Sequence, residues 1–294
     1  MDHITLKAYA KLNLSLNILP ERGGGDYYRV QFLNIQVSLY DSVSIRKLKR
    51  KTILINEPTI DSKENIAYKA AKLMFDTFNL TDGFSIKISK CIPARAGLGG
   101  GSSDAAAVMN GLSVLFGLSL KEDERIHLAK KIGMDVCYCI TGGLCRIGGI
   151  GDDVHRLPCR IPALRLLIAT PHVKKPSTGW AYSKIDVMKT GKYVKKLENL
   201  IKGIEKQDLK EISRNIHNDF EEPIQRHYPI TKYLKEGMIK YGALNAMLAG
   251  SGLSVFGIFK GDKDIFRAKA VVERNDAACC IVHTVDDRVK DSLN

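Results

Sequence analysis

The segment from Pro93 to Ser103 has the residue types of a phosphate-binding loop. It contains four glycines and two serines, and an alanine-rich run from Ala105 follows it. Glycines reach positive φ and let backbone N–H groups approach a phosphate closely, while a following helix directs its positive dipole end at the same point. Ser102 and Ser103 add hydroxyl donors for phosphate oxygens or a magnesium ion. The segment therefore predicts an anion site, with a flexible Gly-Ser turn before a capped helix as the alternative.

The net charge also favours an anionic partner. The 294 residues include 45 Lys and Arg against 32 Asp and Glu, which gives a formal charge of +13. The basic residues are spread along the chain, without zinc-finger spacing or an RNP-type aromatic signature. Phosphorylated small molecules and nucleic acid are the two candidate partners. The glycine spacing matches neither the G-x-x-x-x-G-K-[ST] nor the G-x-G-x-x-G motif.

The chain has the features of a protein in the cytoplasm. Its first residues lack the basic start and apolar core of a signal peptide. The seven cysteines are scattered, without paired ligand-spaced clusters, so core thiols in a reducing compartment are the favoured interpretation. The longest uncharged run, 243–259, is interrupted by Gly250, Ser251 and Gly252 and predicts a loop and a strand rather than a membrane span.

Apolar periodicity predicts the elements that must position the loop. Alternation in 12–18 and 84–88 predicts half-buried strands, and shorter apolar runs at 35–45 and 53–55 predict further strands. Helical spacing from 66 to 78, after the start signal Asp61-x-x-Glu64, predicts an amphipathic helix. The capping box Ser119-x-x-Glu122 predicts another helix, which stops at Gly133. Strands first, then helices interleaved with strands, favour an α+β fold.

A composition shift predicts a domain boundary. Prolines at 158, 162 and 171 bracket a strand-like segment at 164–168, so we expect domains at 1–158 and 159–294. In the second domain, residues 193–214 have a helical pattern, 230–242 predict a helix ending in glycine, and 254–259 predict a strand.

The glycine-rich loop closely resembles the second motif of the GHMP kinases, a family that phosphorylates small-molecule hydroxyls or phosphates with ATP. Eight further segments resemble, in order, motifs of one branch of this family, which phosphorylates the 2-hydroxyl of 4-diphosphocytidyl-2-C-methyl-D-erythritol in non-mevalonate isoprenoid precursor biosynthesis. These segments are Ala8–Leu14, Asp26–Tyr28, Ser38–Asp41, Asn65–Ala71, Gly133–Val136, Pro176–Tyr182, Asn218–Glu221 and Ala249–Gly252.

The resemblance implies an α+β GHMP kinase fold. Its N-terminal domain would resemble the second domain of ribosomal protein S5, and its C-terminal domain a ferredoxin-like α/β domain. It also implies an ATP-dependent kinase with ATP and Mg²⁺ as cofactors, without assigning metal ligands. The ATP-binding residues would be Asn65, with helix capping as an equal alternative, and the whole loop: Pro93, Ala94, Arg95, Ala96, Gly97, Leu98, Gly99, Gly100, Gly101, Ser102 and Ser103.

The resemblance implies that two residues carry the chemistry. It implies that Asp135 is the catalytic base and that Lys11 pairs with it. A carboxylate beside a lysine stays ionised, and the lysine stabilises negative charge on the reacting oxygens. The residues alone would favour a helix-end aspartate and a solvated strand lysine.

The substrate-binding candidates come from the same resemblance. Asn13 shares a strand face with Lys11. Tyr27 and Tyr182 would stack on cytosine, with core burial as the alternative. Thr178 would donate to a substrate phosphate or cap a helix. Tyr28 stands where the branch has histidine, so a family member with a different alcohol or phosphorylated substrate remains the alternative function. A nucleic-acid-binding protein is the alternative from another class.

Overall fold

The computed structural model describes residues 1–25, 27–56 and 65–286. Asp26 and the start signal Asp61-x-x-Glu64 lie outside these residues. Within them the chain forms two compact units that alternate along the sequence. The first comprises Met1–Ala10, Leu39–Ala94 and Gly99–Gly142, and the second comprises Lys11–Ser38, Arg95–Leu98 and Gly143–Asn294. The division into domains at residue 158 stays a prediction.

Two long strands, β1 (His3–Gly24) and β2 (Tyr27–Leu48), contribute residues to both units. In the first unit they join β3 (Ile53–Asn56) and β4 (Gly83–Ser89) in the order β3-β4-β2-β1. Strand β4 is antiparallel to β2 and parallel to β3. The strands predicted at 12–18, 35–45, 53–55 and 84–88 are confirmed.

Four helices belong to the first unit: α1 (Ile66–Thr77), α2 (Gly100–Leu115), α3 (Glu122–Ala129) and α4 (Met134–Thr141). Helix α1 buries Ala67, Ala70, Ala71 and Met74, as its spacing predicts.

The predicted capping box before α3 is wrong by two residues. Lys121 is the N-cap residue, and its N–H donates to the Glu124 carboxylate at 2.8 Å. Glu122 instead accepts a hydrogen bond from Thr141 at 3.0 Å. The helix ends at Ala129, and a turn in which the Gly133 N–H donates to the Ala129 carbonyl follows it. The Glu122 carboxylate binds Thr141, 19 positions later in the chain, and Glu124 makes the cap instead.

In the second unit, β5 (Cys145–Gly148) pairs antiparallel with β2, and the short β8 (His217–Asn218) pairs parallel with β1. Strand β6 (Asp153–Arg156) pairs with β5. A separate antiparallel sheet contains β7 (Arg165–Pro171), β9 (Asn245–Leu248), β10 (Val255–Phe259) and β11 (Ala277–His283), in the order β11-β7-β10-β9. Taken in chain order this is 4-1-3-2, with helices after the first and third strands, as in a ferredoxin-like unit.

The helices of the second unit are α5 (Thr178–Tyr182), α6 (Val194–Glu205), α7 (Leu209–Asn215), α8 (Glu221–His227), α9 (Pro229–Lys240) and α10 (Asp262–Glu273), and a 3₁₀ turn covers Val187–Lys189. The helical pattern at 193–214 is two helices, because Gln207 has a φ of 53° and Asp208 caps α7.

Among the described residues, no helix has the length and apolar character needed to span a bilayer. Cys137 and Cys145 are buried, Cys91 is exposed and the other cysteines are half-buried, so the core-thiol expectation fits only two of them.

Candidate functional site

The glycine-rich segment leads into a helix N-terminus, as its sequence predicts. Gly99 is the N-cap residue of α2 and has a left-handed conformation with φ 72°. Its missing side chain leaves the helix start without a side-chain cap. The first N–H groups of a helix have no helical carbonyl to donate to, and the dipole makes this end positive. The start of α2 can therefore accept an anion.

The two serines of this segment differ in their contacts. The Ser103 hydroxyl is buried and donates to the Tyr9 carbonyl at 2.6 Å, and the Cys139 sulfur lies 3.4 Å away. Ser102 is half-buried. The Ser103 side chain thus fastens α2 to β1, and Ser102 is the better placed of the two hydroxyls to meet a ligand.

A buried ionic cluster anchors the chain that enters the segment. Asp41 accepts hydrogen bonds from the N–H groups of Cys91 at 2.5 Å and Ile92 at 2.8 Å. Lys90 bridges Asp41 and Asp104, with N–O distances of 2.5 and 2.6 Å. No sequence pattern predicts this cluster, although Asp41 lies in a segment with family resemblance. The cluster fixes the position at which the chain reaches Pro93.

Burial raises the pKa of Asp104 to about 7, although the charge and hydrogen bond of Lys90 oppose this shift; the charge of Asp41 adds to it. For Lys90, burial lowers the pKa, but Asp104 and Asp41 together outweigh burial and raise it. The first unit therefore carries, in the first turns of α2, a carboxyl that changes charge near neutral pH.

Asn65 caps α1. Its side-chain oxygen accepts a hydrogen bond from the Ala67 N–H at 2.9 Å, and the residue is buried. A Cβ at Gly101 would lie 3.3 Å from the Ile66 side chain, so Gly101 lies beside the start of α1. The capping interpretation of Asn65 is confirmed, and its contact with nucleotide stays a prediction.

Asp135 lies in the first turn of α4, directly after Gly133 and Met134. Its side chain is exposed. Asp135 is therefore open to a ligand, as a catalytic base must be.

Lys11 is a buried residue, not a solvated one. Only 5% of it is exposed, and its ammonium donates to Asn13 Oδ1 at 2.8 Å. The Asn13 amide in turn donates to Asn34 Oδ1 at 2.6 Å. The prediction that Lys11 and Asn13 share a strand face is confirmed, and the alternative of a surface lysine is wrong.

In the second unit, Arg95–Leu98 pack against the loop Ala249–Gly252. The Lys11 N–H donates to the Leu98 carbonyl at 2.9 Å, and the Ser254 N–H donates to the Ala96 carbonyl at 3.1 Å. Gly97 has φ 86°, and a Cβ there would lie 1.9 Å from the Ala249 carbonyl oxygen. Only glycine fits this approach.

Lys175 is a second buried lysine of this unit and was not predicted. Its exposed fraction is 2%, and its ammonium donates to the carbonyls of Arg95 and Gly252. No local pattern identifies it, because it follows another lysine and precedes a proline.

The three tyrosines have different surroundings. Tyr182 is half-buried and contacts Phe220 edge-to-face with ring centroids 4.9 Å apart. Tyr27 is 57% exposed, which excludes core burial. Tyr28 is half-buried and lies under the Arg22 guanidinium, 4.1 Å from the ring centroid.

Thr178 is the first residue of α5 and is exposed. Ser177 is the cap of this helix, since its hydroxyl accepts from the Trp180 N–H at 3.0 Å. The capping alternative for Thr178 is therefore wrong, and its role toward substrate stays a prediction.

The comparisons with protein families and relatives agree along the chain. Residues 65–143 match the GHMP kinases N terminal domain, and residues 200–278 match the GHMP kinases C terminal model. A protein of Caldicellulosiruptor saccharolyticus named 4-diphosphocytidyl-2-C-methyl-D-erythritol kinase is 41% identical over 271 residues, covering 90% of each chain. A protein of the same name from Acetivibrio thermocellus is 35% identical and covers 97% of this chain and 100% of its own.

Solved structures give the same fold. The crystal structure of a 4-(cytidine 5'-diphospho)-2C-methyl-D-erythritol kinase is 26% identical, with a TM-score of 0.83, covering 96% of this chain and all of its own. A homoserine kinase from Cytophaga hutchinsonii has a TM-score of 0.78 at 19% identity, covering 97% and 95% of the two chains, and shows the fold alone. With both family models matched and relatives similar over nearly their full length, the chain belongs to the GHMP kinase family.

Proposed function

We propose that the chain transfers the γ-phosphoryl group of ATP to the 2-hydroxyl of 4-diphosphocytidyl-2-C-methyl-D-erythritol. The observation that carries this proposal is the likeness, over at least 90% of both chains, to proteins named as kinases of this alcohol. A GHMP kinase acting on a different alcohol is the second candidate, because Tyr28 replaces the histidine of the resembling branch.

ATP binding is assigned to Asn65 and to residues 93–103. The left-handed glycine at the start of α2 supports this assignment, because a glycine before a helix N-terminus is typical of backbone that surrounds phosphates. Among the described residues, no group of three His, Cys, Asp or Glu side chains could hold a metal by itself. This fits Mg²⁺ that enters with ATP, since Mg²⁺ keeps several waters and binds substrate phosphates. Bound Mg²⁺ would neutralise charge on the phosphate oxygens.

The proton transfer is assigned to Asp135. As the substrate hydroxyl oxygen bonds to the γ-phosphorus, Asp135 accepts the hydroxyl proton and the bond to the β–γ bridging oxygen breaks, which releases ADP. Lys11 supplies positive charge toward the oxygens of the transferred group. The hydrogen bond from Lys11 to Asn13 holds the lysine side chain in one orientation.

The cytidine part is assigned to Tyr27, Tyr28 and Tyr182, and Asn13 and Thr178 are assigned to the rest of the substrate. Tyr27 offers an exposed ring for stacking. The Arg22 guanidinium over Tyr28 fixes the ring of the residue that differs from the resembling branch.

A coupled ADP-release assay tests this proposal. The purified full chain is given Mg-ATP with one of three alcohols: the cytidine-linked methylerythritol, mevalonate or homoserine. We expect ADP release with the first compound and at most background with the others. ADP release with mevalonate or homoserine but not with the cytidine-linked alcohol would favour the second candidate. No ADP release with any of the three alcohols would overturn the proposed kinase reaction.

A further inference from the structure

Lys175 joins two segments of the second unit. Its amino nitrogen Nζ donates to the Arg95 carbonyl at 3.0 Å and to the Gly252 carbonyl. In return, the Arg95 guanidinium lies 3.4 Å from the Pro176 carbonyl, next to Lys175 in the chain. Arg95 belongs to the glycine-rich segment and Gly252 to the loop Ala249–Gly252. One buried side chain thus holds these two segments together.

The two charged groups that shift the pKa of Lys175 are both cations, Lys11 and Arg95. Burial is the largest cause that lowers the pKa of Lys175, to about 8, and the positive charges of Lys11 and Arg95 lower it further. Lys11 adjoins the same loop, since a Cβ at Gly250 would lie 3.4 Å from its ammonium nitrogen. This part of the unit therefore gathers three positive side chains whose mutual repulsion an anion would relieve.

We propose that Lys175 is a positioning residue, which takes up a proton when a phosphate group binds beside Lys11 and Arg95 and then fastens Arg95 to Gly252 as an ammonium. The proposal rests on the proposed function, because both ATP and the diphosphate-linked alcohol would bring such a phosphate group.

Phosphate binding and protonation of Lys175 favour each other, which is the reason for the proton uptake. A bound phosphate offsets the field of Lys11 and Arg95 and so favours the charged form of Lys175. The proton comes from the solvent. Hydrogen bonds from a charged donor are about twice as strong as neutral ones, so protonation tightens the contacts to both carbonyls. Phosphate binding and the rigidity of the two segments are thereby coupled through one side chain.

The test is calorimetry of the full chain at pH 8 in two buffers of different ionisation enthalpy. The probes are Mg-ATP and, separately, cytidine diphosphate, so that the source of the phosphate is distinguished. Near its pKa about half of Lys175 is neutral, so we expect uptake of up to about half a proton per bound ligand at pH 8 with either probe. At pH 6.5 we expect almost no uptake with Mg-ATP, which is the only probe used there because the terminal phosphate of free cytidine diphosphate is itself partly protonated at that pH. Uptake with either probe supports the proposal.

Variants separate Lys175 from other titrating groups. Lys175→Met should lose the uptake, whereas Lys174→Met, which changes the exposed neighbouring lysine, should keep it. Lys175→Arg retains a charge that does not titrate at pH 8, so it should bind the probe without uptake even if the methionine variant fails to fold.

Equal proton uptake in the wild type and in Lys175→Arg would overturn the proposal. Ligand binding without uptake at pH 8, or no binding of either probe, would also overturn it. The proposed function has a separate outcome: if ADP release with the cytidine-linked alcohol is absent while Lys175-dependent uptake is present, the function fails and this inference stands.

Discussion

Asp135 is the single residue on which the proposed proton transfer depends. Asp135→Asn keeps the shape of the side chain and removes its ability to accept a proton. General-base catalysis contributes about 10²–10⁴-fold, so we expect kcat to fall within that range while the Kd for ATP stays near the wild-type value. Single-turnover kinetics and calorimetry measure the two quantities.

Asp123→Asn is the matched control, since Asp123 is another exposed acid in the first turn of a helix of the same unit. It should leave kcat unchanged. A loss of less than about tenfold in Asp135→Asn would mean that positioning and electrostatics carry the reaction without this base.

Single residues also show where sequence reasoning ends. Alternation along β1 places Lys11 and Asn13 on one face, because strand side chains repeat every two residues. The burial of Lys175 has no such local cause. Its two carbonyl partners lie 80 and 77 positions away in the chain, and only the folded unit brings them together.

At the scale of elements, the start of α2 predicts different roles for adjacent serines. Ser102→Ala should weaken ATP binding about tenfold, the equivalent of one hydrogen bond to a charged group at about 1.5 kcal/mol, and leave the melting temperature unchanged. Ser103→Ala should instead lower the stability of the fold, because the Tyr9 carbonyl loses this donor. The two variants are compared by calorimetry and thermal unfolding. The reverse result, with stability lost only in Ser102→Ala, would contradict the assignment.

The cluster of Asp41, Lys90 and Asp104 predicts a pH dependence of stability. The pKa of Asp104 is raised from 3.8 to about 7, so the folded chain binds more protons than the unfolded chain between these values. The stabilising contribution is complete below about pH 4 and is lost as the pH rises through 7. Asp104→Asn cannot titrate, so its stability relative to the wild type should increase from pH 5 to pH 8.

Urea unfolding at several pH values measures this difference. One unit of pKa shift corresponds to about 1.4 kcal/mol, so we expect a change of at least about 1 kcal/mol over this range. Asp82→Asn, at an exposed acid of the same unit, is the control and should show no such trend. A difference between Asp104→Asn and the wild type that does not vary with pH would refute the prediction.

Elements with strong periodicity were predictable. Strands β1, β2 and β4 follow from the alternation of apolar and polar residues, and the buried face of α1 follows from helical spacing. The start of α3 does not follow from the sequence pattern, because the carboxylate of Glu122 binds Thr141 and Glu124 caps the helix. The ionic cluster of Asp41, Lys90 and Asp104 could not be predicted from a local pattern either, since Asp41 and Lys90 are 49 positions apart.

The proposed choice of substrate by the whole molecule depends on stacking of the base on Tyr27. Tyr27→Ala should raise KM for the cytidine-linked alcohol about fivefold or more, because stacking contributes about 1–3 kcal/mol per base, and should leave KM for ATP unchanged. Tyr233→Ala, at a similarly exposed tyrosine, is the control. Initial-rate kinetics measure both constants. An unchanged KM for the alcohol in Tyr27→Ala would exclude stacking by this residue.

The ordered motifs predicted the family because they extend over nearly the full length of the chain. These motifs determine the choice of alcohol less strictly than the family. One position of the expected base contact, Tyr28, differs from the histidine of the resembling branch. Fold likeness does not decide it either, because a homoserine kinase has nearly the same chain path.

Identification of the product tests most directly whether the chain transfers the γ-phosphoryl group of ATP to the 2-hydroxyl. The full chain is incubated with Mg-ATP and the cytidine-linked methylerythritol, and the mixture is followed by phosphorus NMR with proton–phosphorus correlation. We expect a new phosphomonoester on the oxygen of the methyl-bearing carbon, with the diphosphate intact and one ADP formed per product. Phosphorylation of another hydroxyl, or ADP formation without a phosphorylated alcohol, would contradict it.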